Sequence, residues 1–135
     1  MCDFCGCPAI DPFSYLTDEH VTLLTMADAY ASSLDPRDLD ALAVIWADHR
    51  AEERAALEPL AEALALHDAL ALARGADDAV EGLVATPDAD ATALRGAVVG
   101  HVDTYEFEVF PQLVMAADPG EIDAAARRAA EARVG

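Results

Sequence analysis

The chain contains no lysine: all 8 of its basic residues are arginine, set against 26 acidic ones in 135 residues. The missing lysine carries no mechanistic weight, but the balance does. A net charge of −18 repels phosphate backbones and anionic lipid, which argues against nucleic acid or a membrane surface as partner. The same field attracts cations. Long apolar runs are missing too. The longest, Ala41 to Ala47, is far too short to span a bilayer. No basic stretch followed by an apolar one opens the sequence, so no signal peptide is expected. The expectation is a soluble cytoplasmic protein, monomeric or homodimeric. Aromatics make up only 6%, and β-branched residues never run beyond pairs such as Val44-Ile45 and Val98-Val99. With no convincing period-two alternation, nothing supports a sheet.

What is present is alanine and helical punctuation. The chain is 54% hydrophobic, much of it Ala, the strongest helix former and one that lets helices approach closely. Ser14 or Thr17 caps a first helix that runs to about Ser33. The segment SSLDPRD stops it, with Asp35 as N-cap and Pro36 at the first helical position. A second helix spans roughly Arg37 to Leu57. Pro59 then ends it or opens a third, which runs through His67 to about Arg74 and resumes towards Val84. ATPDAD stops the chain again, and a fourth helix runs from Asp90 to about Met115. ADPGEID begins a short last helix that reaches Arg133. The pattern predicts an all-α protein, an antiparallel up-down four-helix bundle with a short fifth C-terminal helix. Its parts are a Cys-containing segment over 1–13, the bundle over 14–117 and the final helix over 118–135.

Histidine is scarce, with 4 in the chain, and each falls on a different expected helix: His20, His49, His67 and His101. Each also lies on an apolar stripe. His20 shares a face with Leu16, Leu23 and Ala27; His49 follows Leu42, Ile45 and Trp46; His67 lies with Leu60, Leu64 and Leu70; His101 follows Leu94 and Val98. His49 and Glu53 are about 400° and about 6 Å apart along a helix, so they project from one face. An unpaired buried carboxylate is costly and wants a cation. One buried histidine is more often a bystander bonded to a carbonyl than a ligand, but a bundle interior brings inward side chains from facing helices to one level. Imidazole plus carboxylate suits iron, manganese or zinc. Glu52, Glu58, Glu62, Asp68 and Glu108 read as solvated faces.

Two stretches repeat one pattern: H-x-x-x-E followed by L-x-P from His49, and H-x-x-x-x-E followed by V-F-P from His101. Together with Glu19-His20 in the first helix, the ordered set resembles the hemerythrin-like (HHE cation-binding) domain from His20 to about Leu113. The opening MCDFCGCPAIDPFSYLTDEH is similar to a bacterial subgroup with an N-terminal Cys-rich tag. The resemblance implies a non-haem di-iron centre, oxo- or hydroxo-bridged, that handles O2, H2O2 or NO. It assigns His20, His49, Glu53, His67, His101 and Glu106 to the metal. The chain departs from the family's oxygen carriers at Ala71, where they have a second histidine, and at Glu106, where they have aspartate. One imidazole fewer favours reactivity towards peroxide or NO over reversible O2 storage. On an ideal helix Glu106 is rotated about 140° from His101, so the family pattern pairs them and the spacing does not. Tyr105 faces the His101 side more directly, as a hydrogen-bond donor beside the ligands or as a ligand itself.

Cys2, Cys5 and Cys7 form C-x-x-C-x-C. These thiolates suit zinc, copper(I) or part of an iron–sulfur site with a fourth ligand from elsewhere. The other readings are a redox-active Cys2–Cys5 disulfide with Cys7 free, and an exposed tail with no ligand. The leading expectation is a sensor, scavenger or peroxide-decomposing di-iron protein. The alternatives are a non-catalytic protein that stores or binds zinc or iron through His and Cys, and a purely structural bundle. E-x-x-H does not occur, which removes the ferritin-like di-iron oxidases.

Overall fold

The computed structural model describes residues 12–134, and among them only helices, turns and short links occur. The helices are α1 (Pro12–Ser33), α2 (Pro36–Ala63), α3 (His67–Val84), α4 (Ala91–Thr104), α5 (Phe110–Ala116) and α6 (Pro119–Val134). A π turn, Tyr105–Val109, joins α4 to α5 without a break. The all-helical expectation therefore holds. The packing pairs close on themselves: α1 lies against α2 and α4, and α3 lies against the same two. α6 packs chiefly along α2. No described helix is long and apolar enough to cross a membrane.

α1 begins at Pro12, ahead of Ser14 and Thr17, so neither of these caps it; the later helices have aspartate caps. Asp35 accepts from the Arg37 N–H at 2.9 Å at the head of α2, and Asp90 accepts from the Ala93 N–H at 2.8 Å at the head of α4. The end of α2, however, lies beyond Pro59. Proline has no N–H, so the Ala55 carbonyl loses its usual helical partner. Arg128 of α6 supplies a substitute. Its Nε donates to the Ala55 carbonyl at 2.9 Å and its guanidinium also donates to that of Ala56 at 3.0 Å. The helix continues to Ala63 and closes when the Leu66 N–H bonds the Ala61 carbonyl and the Ala65 N–H bonds that of Glu62. Ala65 takes the left-handed φ of 57° that such a closure requires. Replacing Arg128 with alanine should leave a half-buried acceptor unmet and lower unfolding free energy by about 1 kcal/mol. Urea denaturation measures this, and an unchanged midpoint would mean that water serves the Ala55 carbonyl equally well.

The later break relocates His67. It becomes the first residue of α3 and is exposed, not a member of an interior stripe in mid-helix.

Two apolar layers fill the interior. One gathers Phe13, Leu16, Leu57, Leu60, Tyr105, Phe110 and Leu113; the other gathers Leu23, Leu42, Trp46, Val80, Leu94 and Val98. Each of the first four helices interrupts its buried stripe at the depth between them. α1 places His20 between Leu16 and Leu23, and α2 places His49 and Glu53 between Trp46 and Ala56. α3 places Asp77 between Ala73 and Val80, and α4 places His101 between Val98 and Tyr105. The fold is an apolar–polar–apolar stack, and the polar layer is the candidate site.

Candidate metal centre

His20, His49, Glu53 and His101 meet in this layer, each at most 1% exposed. One donor atom from each can be chosen so that all lie within 4.8 Å of one another. Glu53 is the hub. Its Oε2 is 3.0 Å from His20 Nε2, and its Oε1 is 2.9 Å from His49 Nε2 and 3.3 Å from His101 Nε2. The His49 and His101 Nε2 atoms are 3.2 Å apart.

The outer ring nitrogens face carboxylates. His20 Nδ1 is 2.8 Å from Glu106 Oε2, and His49 Nδ1 is 2.7 Å from Glu19 Oε1. His101 Nδ1 stands 3.1 Å from Asp77 Oδ1, off the line of a hydrogen bond. A carboxylate on Nδ1 draws the ring proton to that side, fixes the ring and leaves Nε2 a bare lone pair. Lone pairs and carboxylate oxygens then crowd one small volume. Glu53 Oε1, fully buried, accepts no aligned hydrogen bond, while Oε2 pairs with His20 Nε2. Something positive must sit among them, either protons or a metal ion. Donors about 2.1 Å from a tetrahedral ion stand about 3.4 Å apart. His20 faces Glu53 Oε2 while His49 and His101 face Oε1, and donors taken one per residue lie within 4.8 Å of one another, so they would close in around an ion; three imidazoles and a carboxylate are a donor set that suits one.

Without an ion, protons fill the role. Burial alone would lower the His49 pKa, but the Glu53 charge and the Glu19 hydrogen bond outweigh it and raise the value to about 10. His101 is raised against the same burial by Glu53 and Asp77. Glu53 is driven well below the ordinary carboxylate value, since the His49 and His101 charges overcome a burial that would raise it.

Some sequence-assigned ligands fall elsewhere. His67 is exposed at the head of α3 and takes no place beside the converging donors. Glu106 is not one of them either: it holds the far nitrogen of His20 and accepts from Thr17 Oγ1 at 2.7 Å. The large helical offset from His101 turns it towards α1. Tyr105 donates its hydroxyl to both Asp77 oxygens at 3.0 Å, and its ring centroid lies 4.5 Å from that of His101. Its phenol is raised by burial, then by Glu53 and Asp77, so it stays a neutral donor. The π turn that carries it precedes Pro111, another residue without an N–H, and the Phe110 N–H reaches back to the Tyr105 carbonyl. Cys2, Cys5 and Cys7 lie outside the described residues.

Three acidic residues gain roles the sequence reading had not given them. Asp77 is 2% exposed and is what α3 contributes instead of His67; its spacing on the Ala73–Val80 stripe was the available signal. Glu19 orients His49. Glu52, expected on a solvated face, is 3% exposed. Its pKa rises to about 7, through burial and then the neighbouring Glu19. Its Oε1 is 3.4 Å from Arg133 Nε, and the Arg133 guanidinium lies 3.7 Å from the Tyr15 ring centroid.

An Asp77→Asn variant keeps the shape beside His101 and removes the charge. Metal affinity should drop about 10–100-fold, the usual consequence of losing a group that orients a ligand. Chelator competition reads this, and unchanged affinity would show that Tyr105 and packing suffice to hold the ring.

Compared with known protein families, curated proteins and solved structures, the chain matches none.

Proposed function

We propose that this chain is a non-haem iron protein of the hemerythrin-like kind. In this reading an antiparallel up-down bundle holds iron between His20, His49, Glu53 and His101, and the centre binds or reacts with O2, peroxide or NO. The observation that carries the proposal is the convergence of Nε2 atoms on Glu53, with carboxylates facing the opposite ring nitrogens. Buried imidazoles with fixed tautomers and a carboxylate are ligands that iron accepts. Iron in such a site supplies redox chemistry with small oxidants. The protein's own part is to hold the imidazoles, keep water out between two apolar layers, and surround the ion with negative charge from Asp77, Glu19 and Glu106.

The resemblance also implies a bridged pair of irons. The converging donors supply one ion, and a second would require donors beyond them. A different reading, a non-catalytic zinc site, draws on the number of candidate ligands: four residues can each offer one donor, the number a closed structural zinc site uses.

Elemental analysis and absorption of protein purified without added metal test these readings. Iron with near-ultraviolet charge-transfer bands and a spectral change on adding NO supports the proposal. Two irons per chain would support the bridged pair, and one would restrict the centre to a single ion. Zinc with no optical bands would replace the proposal with the second reading.

A further inference from the structure

The converging donors lie between two apolar layers, and crossing either would strip a hydrated cation at great cost. A way in must follow the polar layer. Among the described residues that layer reaches the surface through two partly exposed carboxylates, Glu106 and Glu19. On the Glu106 side the adjoining cavity is lined by none of the converging ligands, and Glu106 Oε2 already serves Thr17 and His20. The Glu19 side differs. A cavity of about 350 Å³ opens there between α1, α2 and the end of α6, lined by Tyr15, Glu19, Asp48, His49, Glu52 and Arg133 among others. His49, one of the converging ligands, is part of its wall.

Carboxylates on a surface are common without an ion, but Glu52 is buried. It is 3% exposed, and its enclosed Oε2 accepts no hydrogen bond. The acid beside it, Glu19, is another acceptor, and Glu19 Oε1 is committed to His49 Nδ1 at 2.7 Å. The only arginine lining the cavity is Arg133. Its Nε stands 3.4 Å from Glu52 Oε1, longer than a charge-assisted hydrogen bond, and leaves Oε2 unanswered. Its long side chain is 40% exposed and rests on the Tyr15 ring, so it can swing outward without disturbing the core. A buried carboxylate oxygen without a donor is costly, and a cation relieves that cost.

We propose that this cavity is the port by which a divalent cation enters the centre, with Asp48 at the rim, Glu52 and Glu19 passing the ion inward past His49, and Arg133 as the counter-charge it displaces. The inference rests on the reading of the buried donors as a metal centre, whichever metal that centre holds. A cleft lined by one sign of charge concentrates counter-ions and speeds their association. A port lowers a barrier in both directions, so it changes rates and leaves affinity alone.

The test follows cobalt(II) loading of metal-free protein through the visible bands that appear as protein donors replace water. Glu52→Gln should slow loading about tenfold, and Asp48→Asn about threefold. Asp48 is exposed, so its variant folds whatever Glu52→Gln does. Arg133→Gln should speed loading. Release to excess chelator should change by the same factor as loading in each variant. Asp18→Asn, at an exposed acid lining the cavity on the Glu106 side, removes the same charge and should change neither rate. Unchanged loading in both Asp48→Asn and Arg133→Gln, slowing by Asp18→Asn instead, or a change in affinity as large as the change in rate would overturn the port. Wild-type protein that takes up no cobalt would overturn the reading of the centre, and the port with it.

Discussion

A Glu53→Gln variant is expected to lose metal binding by more than about 100-fold, beyond the usual effect of removing a group that only orients a ligand. Glutamine preserves the shape of the side chain and removes the only carboxylate inside the converging set. It also withdraws the charge that holds the His49 pKa up at about 10. In the metal-free protein near neutral pH, that leaves the buried His49 imidazolium with Glu19 as its one remaining carboxylate partner. Breaking such a pair by removing one partner costs about 3–5 kcal/mol, so the variant should also unfold at markedly lower urea concentration. Chelator competition and urea denaturation give independent readings. Retained metal together with retained stability would mean that Glu53 is a bystander and that the site lies elsewhere.

The stability of metal-free protein and the increment that metal adds to it should respond oppositely to pH. The folded chain raises His49 from 6.5 to about 10. Its contribution is therefore complete below pH 6.5 and disappears as pH rises towards 10. Glu52, raised from 4.5 to about 7, acts in the same direction over its own range, because the folded state keeps a proton that the unfolded state gives up. Glu53, lowered from 4.5, acts at the acid end, where its stabilisation is lost as pH falls. Metal-free protein should thus be most stable in mildly acid solution, and its Tm should fall from about pH 6 to about pH 9. Metal ions must displace the protons on the Nε2 atoms, so the Tm increment from added metal should grow over the same interval. Calorimetry with and without metal measures both curves. Parallel curves would show that metal and protons do not compete for these nitrogens.

The same physics explains which parts of the site could be read in advance. His20, His49, Glu53 and His101 were legible because each interrupts an apolar stripe at helical spacing, and a buried polar group must be answered by another. Asp77 obeys that rule on the Ala73–Val80 stripe but sits in RGADD, where a glycine and a run of acids hide the stripe. His67 opens α3 and does not sit in mid-helix, because α2 runs on to Ala63, through Pro59. Continuing the helix past it depends on Arg128, which is 69 residues further along the chain. Glu106 was assigned by a family pattern, while its rotation away from His101 already pointed elsewhere. In the fold it turns to His20.

The order of residues alone determined helix formation over the described residues, the stops ahead of α2 and α4 with their caps at Asp35 and Asp90, and the candidacy of the interior histidines. These follow from interactions within a few residues, which repeat with the helical period. Tertiary structure alone decided the depth at which the polar residues meet, the carboxylate each imidazole faces, and the exposure of His67. Those depend on the relative axial placement and rotation of separate helices. That placement is set by packing between the two apolar layers and by long-range contacts such as Arg128 on α2.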